Sequence, residues 1–377
     1  MSVALVVQET RPGECRVAAT PETVRKLVGL GLEVWVEEGA GARAFFPDSA
    51  YAEAGARIVP PGRWNEADLV LKVGPLQDAE RDRFRSGAVV IGLLGPHRNP
   101  ETAAALAAQN VTALAMELVP RITRAQKMDA LSSQASIAGY KAVLLAAEAL
   151  PKYFPLLMTA AGTVQPARVV VMGAGVAGLQ AIATARRLGA QVEVTDVRPE
   201  VKEQVESLGG RFIDLPLEES GVGQGGYARE LSAESLRRQR EILSDRVAAA
   251  DVVITTAMVP GRQAPRLLTA EMVGRMAPGS VVVDLAGEAG GNCELSRPDE
   301  MVEANGVRIF APTNLPSSMP RDASQLYARN VFEVVQLLVR DGKLAPDASD
   351  EIVAAMRWTH EGRVFVGQAP MARGATA

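Results

Sequence analysis

Gly173, Gly175 and Gly178 lie in the stretch VVVMGAGVAGLQAIATARRLGAQVEVTD, which runs from Val169 to Asp196. The order is a buried strand, a Gly-x-Gly-x-x-Gly turn, a helix, a second strand and an acidic residue at its tip, which is how a dinucleotide is held. Gly173 allows the tight turn, Gly175 lets backbone come close to a pyrophosphate, and Gly178 lets the helix pack on the strand. The helix N-terminus then offers free N–H groups and a positive dipole end to phosphates. Asp196 can accept hydrogen bonds from the adenosine ribose hydroxyls, and its charge would repel a 2′-phosphate, which favours NAD over NADP. Arg198, two residues on, argues the reverse; the aspartate occupies the ribose position and decides for NAD. The glycine spacing alone is a weak signal, and the strand and helix on either side are what make it specific.

Three other groups carry candidate chemistry. Arg121, Gln126, Asp129 and Ser132 crowd the stretch RITRAQKMDALS. They read either as a solvated linker, which composition alone favours, or as groups that position a nicotinamide or a second reactant. Asp284 and Glu288 follow an apolar run in VVVDLAGEAGGNCEL, where they either cap a loop or face a nicotinamide. Arg16 and Lys72 stand near predicted strand ends, where two cations could bind a substrate carboxylate; surface ion pairing is the simpler reading.

These residues need a scaffold, and the hydrophobic pattern describes one. Val3–Gln8, Glu33–Glu37, Leu69–Val73, Ala88–Leu93 and Thr112–Ala115 read as strands alternating with helical stretches. Thr20-Pro21-Glu22 is a helix start, with an N-cap, a first-turn proline and an early acid. This first α/β region has no glycine fingerprint of its own. From about Leu131 the chain becomes Ala/Ser/Leu-rich and helical, as a connection to a second region would. There Gly210–Asp214, Asp251–Thr256, Ser280–Leu285 and Val307–Ala311 join the two fingerprint strands to make six. The insertion after Asp214 has a GVGQGGYA core that packs poorly, and is either a surface loop or a lid over the nucleotide. SQLYARNVFEVVQLLV is an amphipathic helix that returns to the first region, making it discontinuous. The expected fold is α/β: two Rossmann-like, doubly wound parallel-sheet domains with a cleft between them. Residues 1–128 and 318–377 form the discontinuous N-terminal domain. Residues 129–317 form a nucleotide-binding domain with a linker helix and a mobile loop near 215–231.

Composition closes off several alternatives. At 377 residues with 47% hydrophobic and 22% charged residues, the chain can bury two sizeable cores. A net charge of −4 and 4% aromatics give no support for nucleic-acid binding or a basic membrane patch. Cys15 and Cys293 lack metal-type spacing and suit a reducing cytosol, and two histidines, His97 and His360, exclude a His-rich metal site. The N-terminus reads as a strand and not as a signal peptide. The longest charge-free run, Val169 to Ala185, bends at Gly173 and is no membrane span.

Taken together, RITRAQKMDALSSQASIAGYKAV, the extended glycine stretch from Met158 to Gly210, GGYAREL, ITTAMVPGRQAP and VVVDLAGEAGGNCELS resemble the NAD(H)-binding soluble component of the proton-translocating NAD(P) transhydrogenases. The resemblance runs from about residue 3 to 340. It implies domain I of a three-domain enzyme, with NADP(H) on a soluble domain III, protons conducted by a membrane domain II, and hydride passed directly between the nicotinamides. It further implies a homodimer and a cytoplasmic protein peripheral to the inner membrane, with this chain as a separate subunit. By resemblance, Arg121, Gln126, Asp129 and Ser132 hold the nicotinamide. Val176, Asp196, Val197 and Arg198 contact the pyrophosphate and adenosine, and Thr256, Ala257 and Met258 form a loop beside the cofactor. Gly226 and Tyr227 belong to a loop closing over it, and Gln239 matches a further position. The chain also resembles alanine dehydrogenase, whose Arg and Lys bind a substrate carboxylate and whose His and Asp do catalysis. Arg16 and Lys72 match the cations, but the histidine position falls near Gly95, two residues from His97, and the aspartate position carries Glu288. An amino-acid dehydrogenase and a silent NAD-sensing module therefore stand as alternatives.

Overall fold

The computed structural model describes residues 1–215, 233–258, 262–347 and 349–365. They form two compact units, Met1–Gln134 with Ser317–Ala377, and Ala135–Pro316.

In the first unit Val3–Val6, Leu69–Leu71, Val89–Gly92 and Thr112–Ala115 are short apolar runs, and nearly every residue is buried. Strands apolar on both sides belong inside a parallel sheet covered by helices. The first six strands pair in parallel in the order Arg57–Val59, Glu33–Glu37, Val3–Val6, Leu69–Leu71, Val89–Gly92, Thr112–Ala115. That is the 3-2-1-4-5-6 order of a doubly wound sheet, whose direction reverses between Val3–Val6 and Leu69–Leu71. Arg357–His360 and Arg363–Val364 extend it antiparallel beyond Thr112–Ala115. Helix Pro21–Gly29 begins at Thr20, whose N–H donates to the Thr23 hydroxyl at 2.9 Å. Helix Pro320–Leu338 buries Tyr327, Val331, Val334, Val335 and Leu338 in one core with Val24 and Leu27.

The second unit repeats the design. Arg168–Met172 lies between Gln191–Thr195 and Val252–Thr255. Arg211–Phe212 continues one side, and Val281–Asp284 and Val307–Phe310 the other, all in parallel. Helix Ala130–Ala149 carries the chain into this unit, where Ala142, Val143 and Ala146 pack with Val169, Val171 and Ala181. The hydrophobic pattern does not reveal Arg57–Val59, Met301–Ala304, the exposed hairpin Leu157–Thr159/Gly162–Val164 or the two C-terminal strands. Most are two- to four-residue edge or hairpin strands carrying charged or exposed side chains, the composition that edges use and that hides them from such a pattern.

Candidate nucleotide site and positioning loop

The sheet of the second unit reverses its order between Arg168–Met172 and Val252–Thr255, and the glycine turn springs from that point. Gly173 has φ +107°, and a Cβ there would strike the Thr256 hydroxyl. A Cβ on Gly178 would overlap the Gly173 carbonyl oxygen, so this glycine sets how closely the helix packs. Thr256 locks the turn: its N–H donates to the Met172 carbonyl at 2.9 Å and its hydroxyl to the Gly173 carbonyl at 3.1 Å. Gly175 differs from both, because nothing lies within 4 Å of its Cβ position. It is the N-cap of helix Val176–Arg187 and brings no capping side chain, and Val176 beside it is 42% exposed. The outcome is an open cradle with a bare helix N-terminus above it, which fits a phosphate group.

Asp196 ends strand Gln191–Thr195 and is buried. Its Oδ2 accepts from the Ala174 N–H at 2.7 Å and from Arg198 Nη2 at 2.9 Å, and its Oδ1 accepts from the Arg198 N–H and Nε at 2.9 Å each. A carboxylate offers about four acceptor sites. All are therefore in use, and a ribose hydroxyl can bond to Asp196 only if Arg198 releases it. The bond to Asp196 in turn holds the Arg198 guanidinium above its ordinary pKa. Val197 between them is half-buried.

Ala257 is clamped at both backbone atoms by the buried Asn292. The Ala257 N–H donates to Asn292 Oδ1 at 3.0 Å, and Asn292 Nδ2 donates to the carbonyls of Ala257 and Pro265, both at 2.8 Å. Asn292 thus fixes the loop Thr256–Ala257–Met258, with Met258 49% exposed at its end. Sequence reasoning misses it; its one signal is a polar residue after Gly290 and Gly291, which turn with φ +94° and +81°. Asp284 caps its loop and does not face a ligand: it is fully buried and accepts from Thr255 Oγ1, the Ala286 and Cys293 N–H groups and Ser296 Oγ. Glu288 is exposed. Gln239 lies on helix Ala233–Ala248, of which only the backbone is described at that position. Gly226 and Tyr227 lie outside the described residues, as does nearly all of the expected lid.

In the first unit Arg121, Gln126, Asp129 and Ser132 come together around one turn. Ala125 and Met128 are buried in the core and pin the 3₁₀ turn Thr123–Met128 from below, leaving Arg121 and Gln126 exposed. Asp129 stands directly before helix Ala130–Ala149. Its Oδ1 accepts from the Ser132 N–H at 2.9 Å and its Oδ2 from the Ser132 hydroxyl at 2.6 Å. This is an N-cap bond to the third helical residue, so both side chains already have a structural task. Arg16 and Lys72 are buried ion pairs and not surface ones. Lys72 Nζ lies 2.9 Å from Glu9 Oε2 and 3.2 Å from Glu80 Oε2, and Arg16 makes a two-pronged contact with Glu14 at 2.8 and 2.7 Å. The parallel sheet passes through the core, so its strand ends are roofed and a cation there must bring its own carboxylates.

His97 is exposed at the turn after Gly95, and His360 Nδ1 lies 3.0 Å from the Thr112 hydroxyl. Among the described residues no cluster of His, Cys, Asp and Glu could hold a metal, and no helix is long and apolar enough to cross a membrane. Cys15 is half-buried and Cys293 buried, both as free thiols.

The family model for the alanine dehydrogenase/PNT N-terminal domain matches residues 5–138, and that for the alanine dehydrogenase/PNT C-terminal domain matches residues 142–367. The chain is 48% identical over 370 residues to the first of the chains that make up the NAD(P) transhydrogenase subunit alpha of Rhodospirillum rubrum, covering 95% of this chain and 96% of that one. A crystal structure of transhydrogenase from Sinorhizobium meliloti superposes with a TM-score of 0.88 at 47% identity, covering 96% of this chain and all of that one. The alanine dehydrogenase of Mycolicibacterium smegmatis is 32% identical over 366 residues, covering 95% and 93%. With both family models matched and the higher identity on the transhydrogenase side, the chain belongs to the alanine dehydrogenase/PNT family, among the NAD(P) transhydrogenase alpha subunits.

Proposed function

We propose that this chain holds NAD(H) on its second unit and exchanges hydride with NADP(H) held by a partner subunit, the domain III of the family, with the transfer coupled to proton movement through a membrane domain II. The glycine cradle, the bare helix end at Val176, Asp196 with Arg198, and the Thr256–Met258 loop would hold the nucleotide. When bound, the nicotinamide ring supplies hydride at its C4 carbon. The chain's own work is then orientation and exclusion of water, and it needs no acid or base. The reading rests on the Arg121–Ser132 turn: it is anchored from below by Ala125 and Met128 and presents Arg121 and Gln126 outward. An alanine dehydrogenase would need an acid/base pair, and both His97 and Glu288 are exposed side chains at positions displaced from or altered in that pattern. Exposed Tyr153, Leu156, Met158 and Val164, on or next to the hairpin, offer an apolar surface for a homodimer. The chain would sit at the membrane through its partners alone.

The test mixes the purified chain with a domain III preparation and follows transfer from NADH to an NADP analogue, with L-alanine and NAD as a control. Transfer that requires the partner, and no NADH from L-alanine, is the expected result. Gln126→Ala or Asp129→Ala should slow transfer by about 100-fold, the cost of misplacing reacting groups by an ångström, while NADH affinity changes little. NADH formed from L-alanine without a partner would establish the dehydrogenase instead, and no transfer with the partner would leave a sensing module.

A further inference from the structure

We infer that Asn330, on helix Pro320–Leu338, is a positioning residue for the Arg121–Ser132 turn; the inference rests on the role given to that turn above. Asn330 is 9% exposed and both ends of its amide are engaged. Nδ2 donates to the Lys127 carbonyl at 2.7 Å, and Oδ1 accepts from the Ser133 hydroxyl at 2.7 Å. Lys127 adjoins Gln126 and Ser133 adjoins Ser132. One amide therefore ties the tip of the turn to the start of the following helix, on both sides of Asp129. Lys127 is near the C-terminal end of its 3₁₀ turn, where carbonyls lose their helical partners and need another donor.

The tie is itself anchored. Gln134 is 6% exposed; its Nε2 donates to the Ser133 hydroxyl at 3.2 Å and to the Ala323 carbonyl at 3.1 Å, and its Oε1 accepts from Arg16 Nη1 at 2.8 Å. Arg16 is gripped by Glu14. A chain of side chains, Glu14–Arg16–Gln134–Ser133–Asn330, thus ends on the Lys127 backbone, within the first unit. Asparagine is a poor mid-helix residue, and its neighbours on this stripe are Tyr327, Val331 and Val334. Only an amide gives a donor at one end and an acceptor at the other: aspartate would set a charge against the Lys127 carbonyl, and leucine would leave carbonyl and hydroxyl unpaired. A local rule broken at a buried site next to the candidate turn is where function is expected to show.

The test uses the full chain with Asn330→Asp and Asn330→Ala, and Gln126→Ala alongside. Without nucleotide, amide hydrogen exchange over residues 121–134 should rise about tenfold or more while the sheet strands of the first unit stay protected. NADH affinity should hold within about threefold, and hydride transfer with domain III should fall about tenfold or more. If Gln126→Ala leaves transfer unchanged, the role of the turn is lost, whatever Asn330 does. If Gln126→Ala slows transfer but the Asn330 variants do not, the inference is wrong. Exchange rising across the whole unit, or binding and transfer falling together, would reduce Asn330 to a core residue and overturn it as well. Should an Asn330 variant fail to fold, Ser133→Ala removes one link of the same chain and must show the same split.

Discussion

Lys72 shows at the scale of one residue how a cation suggestive of substrate binding can be part of the fold. It is completely buried, as are Glu9 and Glu80 to within a few per cent. Burial works to lower the Lys72 pKa, but the Glu9 and Glu80 carboxylates outweigh it and hold the ammonium above its ordinary value. Removing one member of such a cluster strands the others. Lys72→Met should therefore destabilise the chain by about 3–5 kcal/mol in urea unfolding, the range for breaking a buried pair. A loss below about 1 kcal/mol would show that the charges are not fixed and that the site has room for a ligand. Glu22 is the exposed counterpart. Hydrogen bonds from Arg329 and Lys26 lower its pKa from 4.5 to about 2. A lowered folded pKa gives stability that is complete above the ordinary value near 4.5 and disappears as pH falls towards 2. Glu22→Gln should thus lower the melting temperature slightly at pH 7 and not at all at pH 2; a difference that persists at pH 2 would mean that the contact is not ionic.

The elements that hold these residues are legible in the sequence where local backbone alone decides them. Gly173, Gly178 and Asp196 can be assigned from spacing because a tight turn, a close helix and a strand tip are properties of adjacent residues. Asn292 and Asn330 cannot, since each acts on backbone more than 30 residues away, at Ala257 and Lys127. The same limit applies to Arg198, whose closure over Asp196 depends on side-chain geometry and not on order in the chain. Lys72 looks like a surface residue in the sequence because burial belongs to the sheet and not to the strand. The glycine turn also allows packing and binding to be separated. Gly178→Ala would force its Cβ onto the Gly173 carbonyl, so it should cost about 1–3 kcal/mol and reduce NADH affinity. Gly175→Ala meets nothing, and its φ of −74° suits alanine. It should change stability by less than about 1 kcal/mol yet weaken NADH about tenfold by crowding the cradle. Thermal melts and NADH fluorescence titrations of the two variants decide this; an unchanged affinity in Gly175→Ala would remove the cradle from the nucleotide site.

At the scale of the whole molecule, two α/β units carry separate cores and one thiol each. Cys293 is packed with Val170, Met172, Leu268 and Met272. Its N–H donates to Asp284 and its carbonyl accepts from Arg266 at 2.7 Å. Burial pushes the thiol up to about 11, so at pH 8 little thiolate forms in the folded chain. Reaction with a thiol reagent therefore requires the second unit to open, and Met172, one residue before the glycine turn, sits in that same core. A ligand bound only to the closed state opposes opening by RT ln(1 + [L]/Kd), about 2.7 kcal/mol at 100 times Kd. Saturating NADH should accordingly slow Cys293 labelling by about 100-fold. Labelling of Cys15 in the first unit should change little. Peptide mapping after timed labelling separates the two thiols. Equal protection of both would mean that the two cores open together, and no protection of Cys293 at saturating NADH would place the nucleotide away from the second unit's glycine turn.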